Sequence, residues 1–221
     1  MDPAPWGAIF DWDGVIIDSS ASHEKSWENL AVEEGRPLPA DHFERGFGRK
    51  NEIIIPEILG WTTDPAEIAR LSLRKEELYR ELIRDVKLQP MAGVRPWLER
   101  LMAARVPCAV GTSTHRANIE LSMSRLGLGS FFRGVITSED VRKGKPDPEV
   151  FLKAAALIDR APGKCVVFED SFAGLRAAWN GGMKCVGVAT TNPADALAGQ
   201  ADRVVHRLDE LQAADLAAWF S

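Results

Sequence analysis

Cysteine is scarce in this chain: Cys108, Cys165 and Cys185 are the only three in 221 residues, with no metal-site spacing. Each opens an apolar run, so buried reduced thiols are expected, which fits a cytoplasmic protein. Positive charge is also in deficit, 27 Lys and Arg against 32 Asp and Glu, for a formal net charge of −5. That balance argues against a general binder of nucleic acid or anionic membranes, while a local basic pocket stays compatible with it. No stretch is long enough to span a bilayer. The opening Met1-Asp2-Pro3-Ala4-Pro5 lacks the basic and apolar regions of a signal peptide. Internal repeats and low-complexity segments are missing too. What remains, 45% apolar and 27% charged residues, is the composition of a globular protein with a real core.

The stretch that organises the rest is Ala8-Ile9-Phe10-Asp11-Trp12-Asp13-Gly14-Val15. An apolar run ends in two carboxylates one residue apart. Read as a strand, it carries both acids past its carboxyl end, where open α/β sheets bind ligands. Alternation puts Asp11 and Asp13 on the same side, and Gly14 lets the backbone turn away. Two carboxylates this close repel unless a cation sits between them or one holds a proton. A lone Asp-x-Asp is also compatible with a solvated acidic turn.

The next block is helical throughout. Ser19 to Gly35 reads as a helix capped by Ser19 or Ser20, with His23 and Trp27 on one face. Asn51 to Leu59 is a second, and Pro65 to Val86 a third, with Ile68, Leu71, Leu78, Leu82 and Val86 as its apolar stripe. No strand pattern occurs between about Ser19 and Lys87. From Met91 the rhythm alternates. Strands are expected at Pro107–Gly111, Gly134–Thr137, Cys165–Phe168, Cys185–Ala189 and Val204-Val205. Between and after them come helices at Gly93–Arg105, Arg116–Leu126, Pro148–Ile158 and Ser171–Asn180, a short helix, and a last one over Leu208–Phe220. This pattern predicts a parallel sheet covered on both faces, interrupted after its first strand by a block of helices.

The ends of such strands converge in space. The second ends in Gly111-Thr112-Ser113-Thr114-His115, the third is followed by Gly144-Lys145-Pro146-Asp147-Pro148, and the fourth ends in Glu169-Asp170-Ser171. Each has an ordinary reading: Thr112 or Ser113 capping a helix, Lys145 in a surface turn, Asp170 as an N-cap. Together they supply carboxylates for a metal, hydroxyls for a phosphate and one positive charge.

The chain resembles the haloacid dehalogenase superfamily, in the branch of β-phosphoglucomutase and the sugar-phosphate phosphatases. Asp11-Trp12-Asp13-Gly14 matches its first motif, Thr112 the second, Lys145 the third and Glu169-Asp170 the fourth. The resemblance implies an α/β fold: a Rossmann-like parallel sheet with helices on both faces (residues 1–18 and 89–221), plus an inserted all-helical cap domain (19–88). It implies Asp11 as nucleophile forming an aspartyl-phosphate, and Asp13 as general acid and then base. Mg²⁺ would be held by Asp11, the backbone carbonyl of Asp13 and Asp170, with Glu169 as an outer or alternative ligand. Thr112 and Lys145 would complete the catalytic set, and Gly14, Ser113 and Thr114 would bind the phosphate ester. Trp12 is bulkier than the aliphatic residue usual between the aspartates, and is expected to fill a core gap.

Two groups of residues pull the expected activity apart. In the cap, Arg49 of Gly46-Phe47-Gly48-Arg49, together with Lys75 and His23, resembles the mutase's substrate contacts, although charged helical surroundings also suit solvated residues. In the core, His115 stands where the mutase has a lysine, and Arg116 follows it, which is closer to the phosphatases. The expected function is a Mg²⁺-dependent phosphatase for a small phosphorylated metabolite, acting as a monomer. The mutase is the alternative. A non-catalytic phosphate-ester-binding protein would be expected to lack one of Asp11, Asp13, Lys145 or Asp170, and all four are present.

Overall fold

The computed structural model describes residues 4–84 and 86–220. Met1 to Pro3, where the expected 1–18 segment begins, lie outside the described residues, as do Asp85, inside the expected Pro65–Val86 helix, and Ser221.

Six strands form one parallel sheet: β1 (Gly7–Phe10), β2 (Cys108–Gly111), β3 (Val135–Ile136), β4 (Cys165–Glu169), β5 (Lys184–Val188) and β6 (Arg203–Val205), in the order β3-β2-β1-β4-β5-β6. β1 lies at the middle, with Ala8 beside Cys108 on one neighbour and Val166 on the other. Strand order reverses direction at β1, so its carboxyl end is the crevice where such sheets bind ligands.

Alternation along β1 divides the core. Ala8 and Phe10 enter the cluster that holds Trp97 of α5 (Val94–Ala103), Ile119 of α6 (Arg116–Leu126) and Leu216 of α10 (Ala213–Ala217). Ile9 enters the opposite cluster with Phe151 of α7 (Glu149–Leu157), Leu175 of α8 (Phe172–Asn180) and Leu197 of α9 (Ala194–Leu197). Helices therefore cover both faces, which is why the strands read as unbroken apolar runs. The three cysteines are buried and free. Trp12 is fully buried and its indole N–H donates to Ser122 Oγ at 3.0 Å, so the bulky residue fills core space with its polar atom satisfied.

Between β1 and α5 the chain is helical: α1 (Ser20–Glu34), α2 (His42–Gly46), α3 (Asn51–Ile53) and α4 (Pro65–Arg84). These helices have an apolar cluster of their own, built on Trp27, Leu30, Ile54, Ile55, Leu71 and Leu78.

Several elements depart from the sequence expectation. The Asn51–Leu59 helix becomes α3 followed by a π-helical turn at Ile54–Ile58, with Leu59 N–H donating to Ile54 O. Pro56 would crowd the carbonyl four residues back in a regular α-helix, and the wider turn moves that carbonyl away. α4 ends at Arg84, and Val86 is exposed rather than part of the stripe. Arg125 bonds the carbonyls of Ile83 and Val86 and so terminates the helix. The expected Leu208–Phe220 helix is broken into a 3₁₀ turn at Leu208–Glu210, α10 and a second turn at Ala218–Phe220. Glu210 bonds back to the Arg207 N–H, and Leu211 and Gln212 are extended. Ser19 occupies the N-cap position of α1 without capping it, and the ordinary readings of the strand-end residues as caps do not hold: His115, not Thr112 or Ser113, precedes α6, and Ser171, not Asp170, caps α8.

The buried face of α4 is Leu71, Ser72, Lys75, Glu76, Leu78, Tyr79 and Ile83. Glu76 closes the seam between the inserted helices and the sheet domain. Its Oε1 accepts from Asn51 Nδ2 at 2.7 Å and Lys75 Nζ at 3.0 Å, and its Oε2 accepts from Asn118 Nδ2 of α6 at 2.5 Å. Burial alone pushes this carboxyl up, but Lys75, His23, His115 and the Asn51 hydrogen bond outweigh it and bring the pKa from an ordinary 4.5 to about 2.

A folded-state pKa below the unfolded one stabilises the protein above pH 4.5, and that contribution is lost as pH falls through 4.5 toward about 2. Glu76→Gln is therefore expected to reduce stability by about 3 kcal/mol at neutral pH, and by progressively less below pH 4.5, in urea unfolding curves of both proteins across pH. Trp12→Ala is expected to cost about 3–5 kcal/mol in the same assay, because it opens a cavity and strips Ser122 of a donor.

Candidate active site

The carboxyl ends of β1, β2 and β4 and the loop carrying Lys145 meet at one point. Asp11 and Asp13 line the same chamber, with Trp12 between them turned into the core, as strand alternation predicts. Gly14 follows with φ +75°, and a Cβ there would overlap the Asp170 carboxylate. Only glycine combines that backbone with so close an approach.

Lys145 is the positive centre. Its Nζ lies 3.0 Å from Asp11 Oδ2 and 2.5 Å from Glu169 Oε1, over the Phe151 ring, with no solvent exposure of the side chain. Burial works against the ammonium, yet Asp11 and Glu169 hold its pKa above the usual lysine value. Glu169 also accepts from the Ser171 N–H and hydroxyl. Burial raises it, but Lys145 and these bonds prevail, so its pKa is lowered.

Asp11, Glu169 and Asp170 each offer an oxygen within 4.8 Å of the others. One ammonium cannot neutralise three carboxylates, and the excess shows. Burial, set against Lys145 and reinforced by Glu169 and Asp13, pushes Asp11 up to about 8. Burial with the charges of Glu169 and Asp11 raises Asp170 well above the carboxylate range. Asp11 Oδ1 and Asp170 Oδ1 are buried without hydrogen-bond partners among the described residues. All-oxygen donors, surplus negative charge and two unused oxygens fit a hard divalent cation such as Mg²⁺.

The Asp13 carboxylate is not part of this cluster. It accepts from Ser19 Oγ at 2.5 Å and from Thr114 Oγ1, and faces His23 Nε2 at 3.5 Å. Burial raises it, but His23, Ser19 and Thr114 together lower its pKa. Two neighbouring aspartates are thus driven in opposite directions, which is how one site holds two carboxylates in different roles. His23 is positioned in turn by Lys75, whose Nζ lies 2.7 Å from Nδ1, and by Tyr79, stacked on its ring at 3.9 Å. An ammonium only donates, so Nδ1 accepts and Nε2 carries the proton toward Asp13.

Thr112 is buried, accepts from the Thr114 N–H at 3.1 Å and lines the chamber with Ser113 and Thr114. Arg49 is exposed at the rim, and its guanidinium has no hydrogen bond or ion pair among the described residues. Lys75 is buried between Trp27 and Tyr79. The structure does not bring His115 and Arg116 into the chamber wall. His115 lies between Ser72 Oγ (3.5 Å) and Glu139 (3.7 Å), and Arg116 is tied to Asp140 at 2.6 Å.

Sequence reasoning missed His42, Asn51 and Glu76 in the chamber wall and Thr191 beside the acidic cluster. Thr191 was within reach of the strand-end argument. Thr190-Thr191-Asn192 follows β5, and these residues bond Gly14 O, Asp170 Oδ2 and Asp170 O respectively. Glu76 belongs to a polar row on α4 with Ser72, Lys75 and Tyr79 that is buried only in the folded chain. Nothing in an Arg-Lys-Glu-Glu run separates Glu76 from its exposed neighbour Glu77.

The haloacid dehalogenase-like hydrolase family matches residues 8–188 of this chain. The chain is 42% identical over 212 residues to a chloroplastic 5-amino-6-(5-phospho-D-ribitylamino)uracil phosphatase of Arabidopsis thaliana, covering 95% of this chain but only 56% of that protein. It is 32% identical over 210 residues to the β-phosphoglucomutase of Bacillus subtilis, covering 92% of this chain and 90% of that enzyme. In fold it is similar to a family IA HAD hydrolase of Entamoeba histolytica, with a TM-score of 0.87 at 24% identity, over 97% of this chain and 98% of that one. With its motif residues gathered at the end of the central strand and the family match spanning most of its length, the chain belongs to the haloacid dehalogenase-like hydrolases.

Proposed function

We propose that this chain is a phosphoric monoester hydrolase that transfers the phosphoryl group of a small phosphorylated metabolite to Asp11 and then to water. The observation that carries the reading is the placement of Asp11, with one oxygen held by Lys145 and the other free beside Glu169 and Asp170. A nucleophile fixed in this way has little left to reorganise when phosphorus approaches.

Asp11, Glu169 and Asp170, with the backbone carbonyl of Asp13, would hold Mg²⁺. Bound there, the cation supplies the charge that keeps Asp11 ionised and offsets its repulsion from a phosphate dianion. Lys145 orients Asp11 and balances charge on the phosphoryl oxygens, toward which Thr112 and Ser113 present their donors. Asp13, held as a carboxylate by Ser19, Thr114 and His23, is the group that exchanges protons with the leaving oxygen and with water. His23 is its positioning residue, linked through Lys75 to the inserted helices. On this reading the catalytic core comprises residues 1–18 and 89–221 and the cap residues 19–88.

The plant relative is named for an ester on a ribityl chain, which supports a phosphorylated sugar or sugar alcohol as the substrate class. One observation favours the mutase instead: Arg49 is a cation at the rim with no partner among the described residues, suited to a second phosphate. Against it, the core cation expected to assist, Arg116, is committed to Asp140. Release to water is therefore the reading we adopt, for a monomeric, cytoplasmic enzyme with no nucleic-acid or membrane partner. Three buried free thiols and a net charge of −5 support that setting.

The test is inorganic phosphate release from a panel of sugar and sugar-alcohol phosphates with Mg²⁺. β-Glucose 1-phosphate with catalytic hexose bisphosphate is followed in parallel for isomerisation, and isomerisation without release would establish the mutase. Asp11→Asn is expected to lower kcat by roughly a thousandfold or more, and unchanged turnover would remove Asp11 as nucleophile. Chelation is expected to abolish release and added Mg²⁺ to restore it. Full activity in chelator would remove the metal.

A further inference from the structure

His42 opens α2 and is more than nine-tenths buried, yet sequence reasoning gave it no role. Its Nδ1 lies 2.8 Å from the carbonyl of Pro39. A carbonyl only accepts, so Nδ1 carries the proton, and in the neutral ring Nε2 is left as an acceptor. Nε2 is buried and has no partner among the described residues.

Leaving such an atom unpaired costs about 1–3 kcal/mol, so it calls for a physical explanation. Its place supplies one. His42 is part of the wall of the catalytic chamber, beside Trp27, Phe43, Phe47 and Ile54. Elsewhere in that wall Lys75 is paired with His23 and Glu76, and Glu76 with Asn51 and Asn118, while Arg49 stands exposed at the rim. His42 is thus a single buried acceptor with spare capacity in an otherwise aromatic and aliphatic stretch. Asp11 Oδ1, the other unpartnered buried atom on a chamber-lining residue, belongs to the acidic cluster.

We propose that His42 is a specificity-determining residue whose Nε2 accepts a hydrogen bond from a hydroxyl or N–H of the leaving group. The substrates preferred are then phosphate esters of polyols or aminopolyols over esters of donor-free alcohols and phenols. The inference rests on the phosphatase reading. A site built around a buried acceptor rejects an analogue that cannot satisfy it more strongly than an apolar wall rejects a misfit.

The experiment uses the whole chain with Mg²⁺ and measures kcat and KM for ribitol 5-phosphate, an aminopolyol phosphate, pentyl phosphate and p-nitrophenyl phosphate. Wild type is expected to prefer the donor-bearing esters over pentyl phosphate by about 10-fold or more in kcat/KM. The better of the two donor-bearing esters shows whether a hydroxyl or an N–H fills the position. His42→Phe is expected to collapse that ratio about 10- to 100-fold, and His42→Gln, which keeps an acceptor, to restore part of it. A ratio unchanged in His42→Phe, with all esters falling together, would show that the ring only supports α2 and would overturn the proposal. So would a wild type that does not discriminate against pentyl phosphate, a result that needs no variant to fold. A wild type that hydrolyses none of the esters would instead sink the phosphatase reading itself.

Discussion

One buried ammonium among three buried carboxylates is the interaction on which the site depends. Lys145 lies between Asp11 and Glu169, with Asp170 alongside, all on the last residues of strands or the loops just beyond them. Charges taken out of water at this density persist only when they are paired and hydrogen-bonded. The surrounding structure meets that demand: Ser171 saturates Glu169, Thr191 and Asn192 hold Asp170, and Gly14 and Gly174 give up their side chains so that Asp170 and Glu169 fit. The residual negative charge, visible in Asp11 and Asp170, is what a divalent cation would neutralise.

The second constraint is the seam between the inserted helices and the sheet domain. Asp13, His23, Lys75, Glu76 and Asn118 form a continuous polar chain from the end of β1 through α4 to α6. Trp12 joins the same region from below through Ser122, whose hydroxyl also bonds the Asn118 carbonyl. The contact that positions Asp13 therefore depends on the inserted helices being docked. This gives a physical route from the placement of those helices to the protonation of one carboxylate, because desolvation and the His23 partner are present together.

Much of this was legible before any coordinates. The parallel sheet followed from short apolar runs alternating with amphipathic helices, and convergence at its carboxyl edge followed from strand polarity. Trp12 was correctly expected to fill the core. Failures occurred where local pattern lost to packing: Pro56 forcing a wider turn, Arg125 ending α4 before Val86, and the last helix breaking at Leu211-Gln212. Arg116 offered a cation at a promising position, and in the folded chain its guanidinium is paired with Asp140 and Thr137.

The sequence by itself determined the fold class, the motif residues and their order along the chain, because strand ends and turn glycines are local properties that spacing records. Only the tertiary structure decided which charges are buried together and which are paired elsewhere. Lys75 and Glu76 sit in a run indistinguishable from a solvated helix face, and His42 in a short segment without pattern. Their roles come from neighbours 40 or more residues away, or from a chamber wall that exists only once those segments are packed. Burial and pairing set whether a polar group is solvated scenery or part of a site, and both are properties of the folded chain alone.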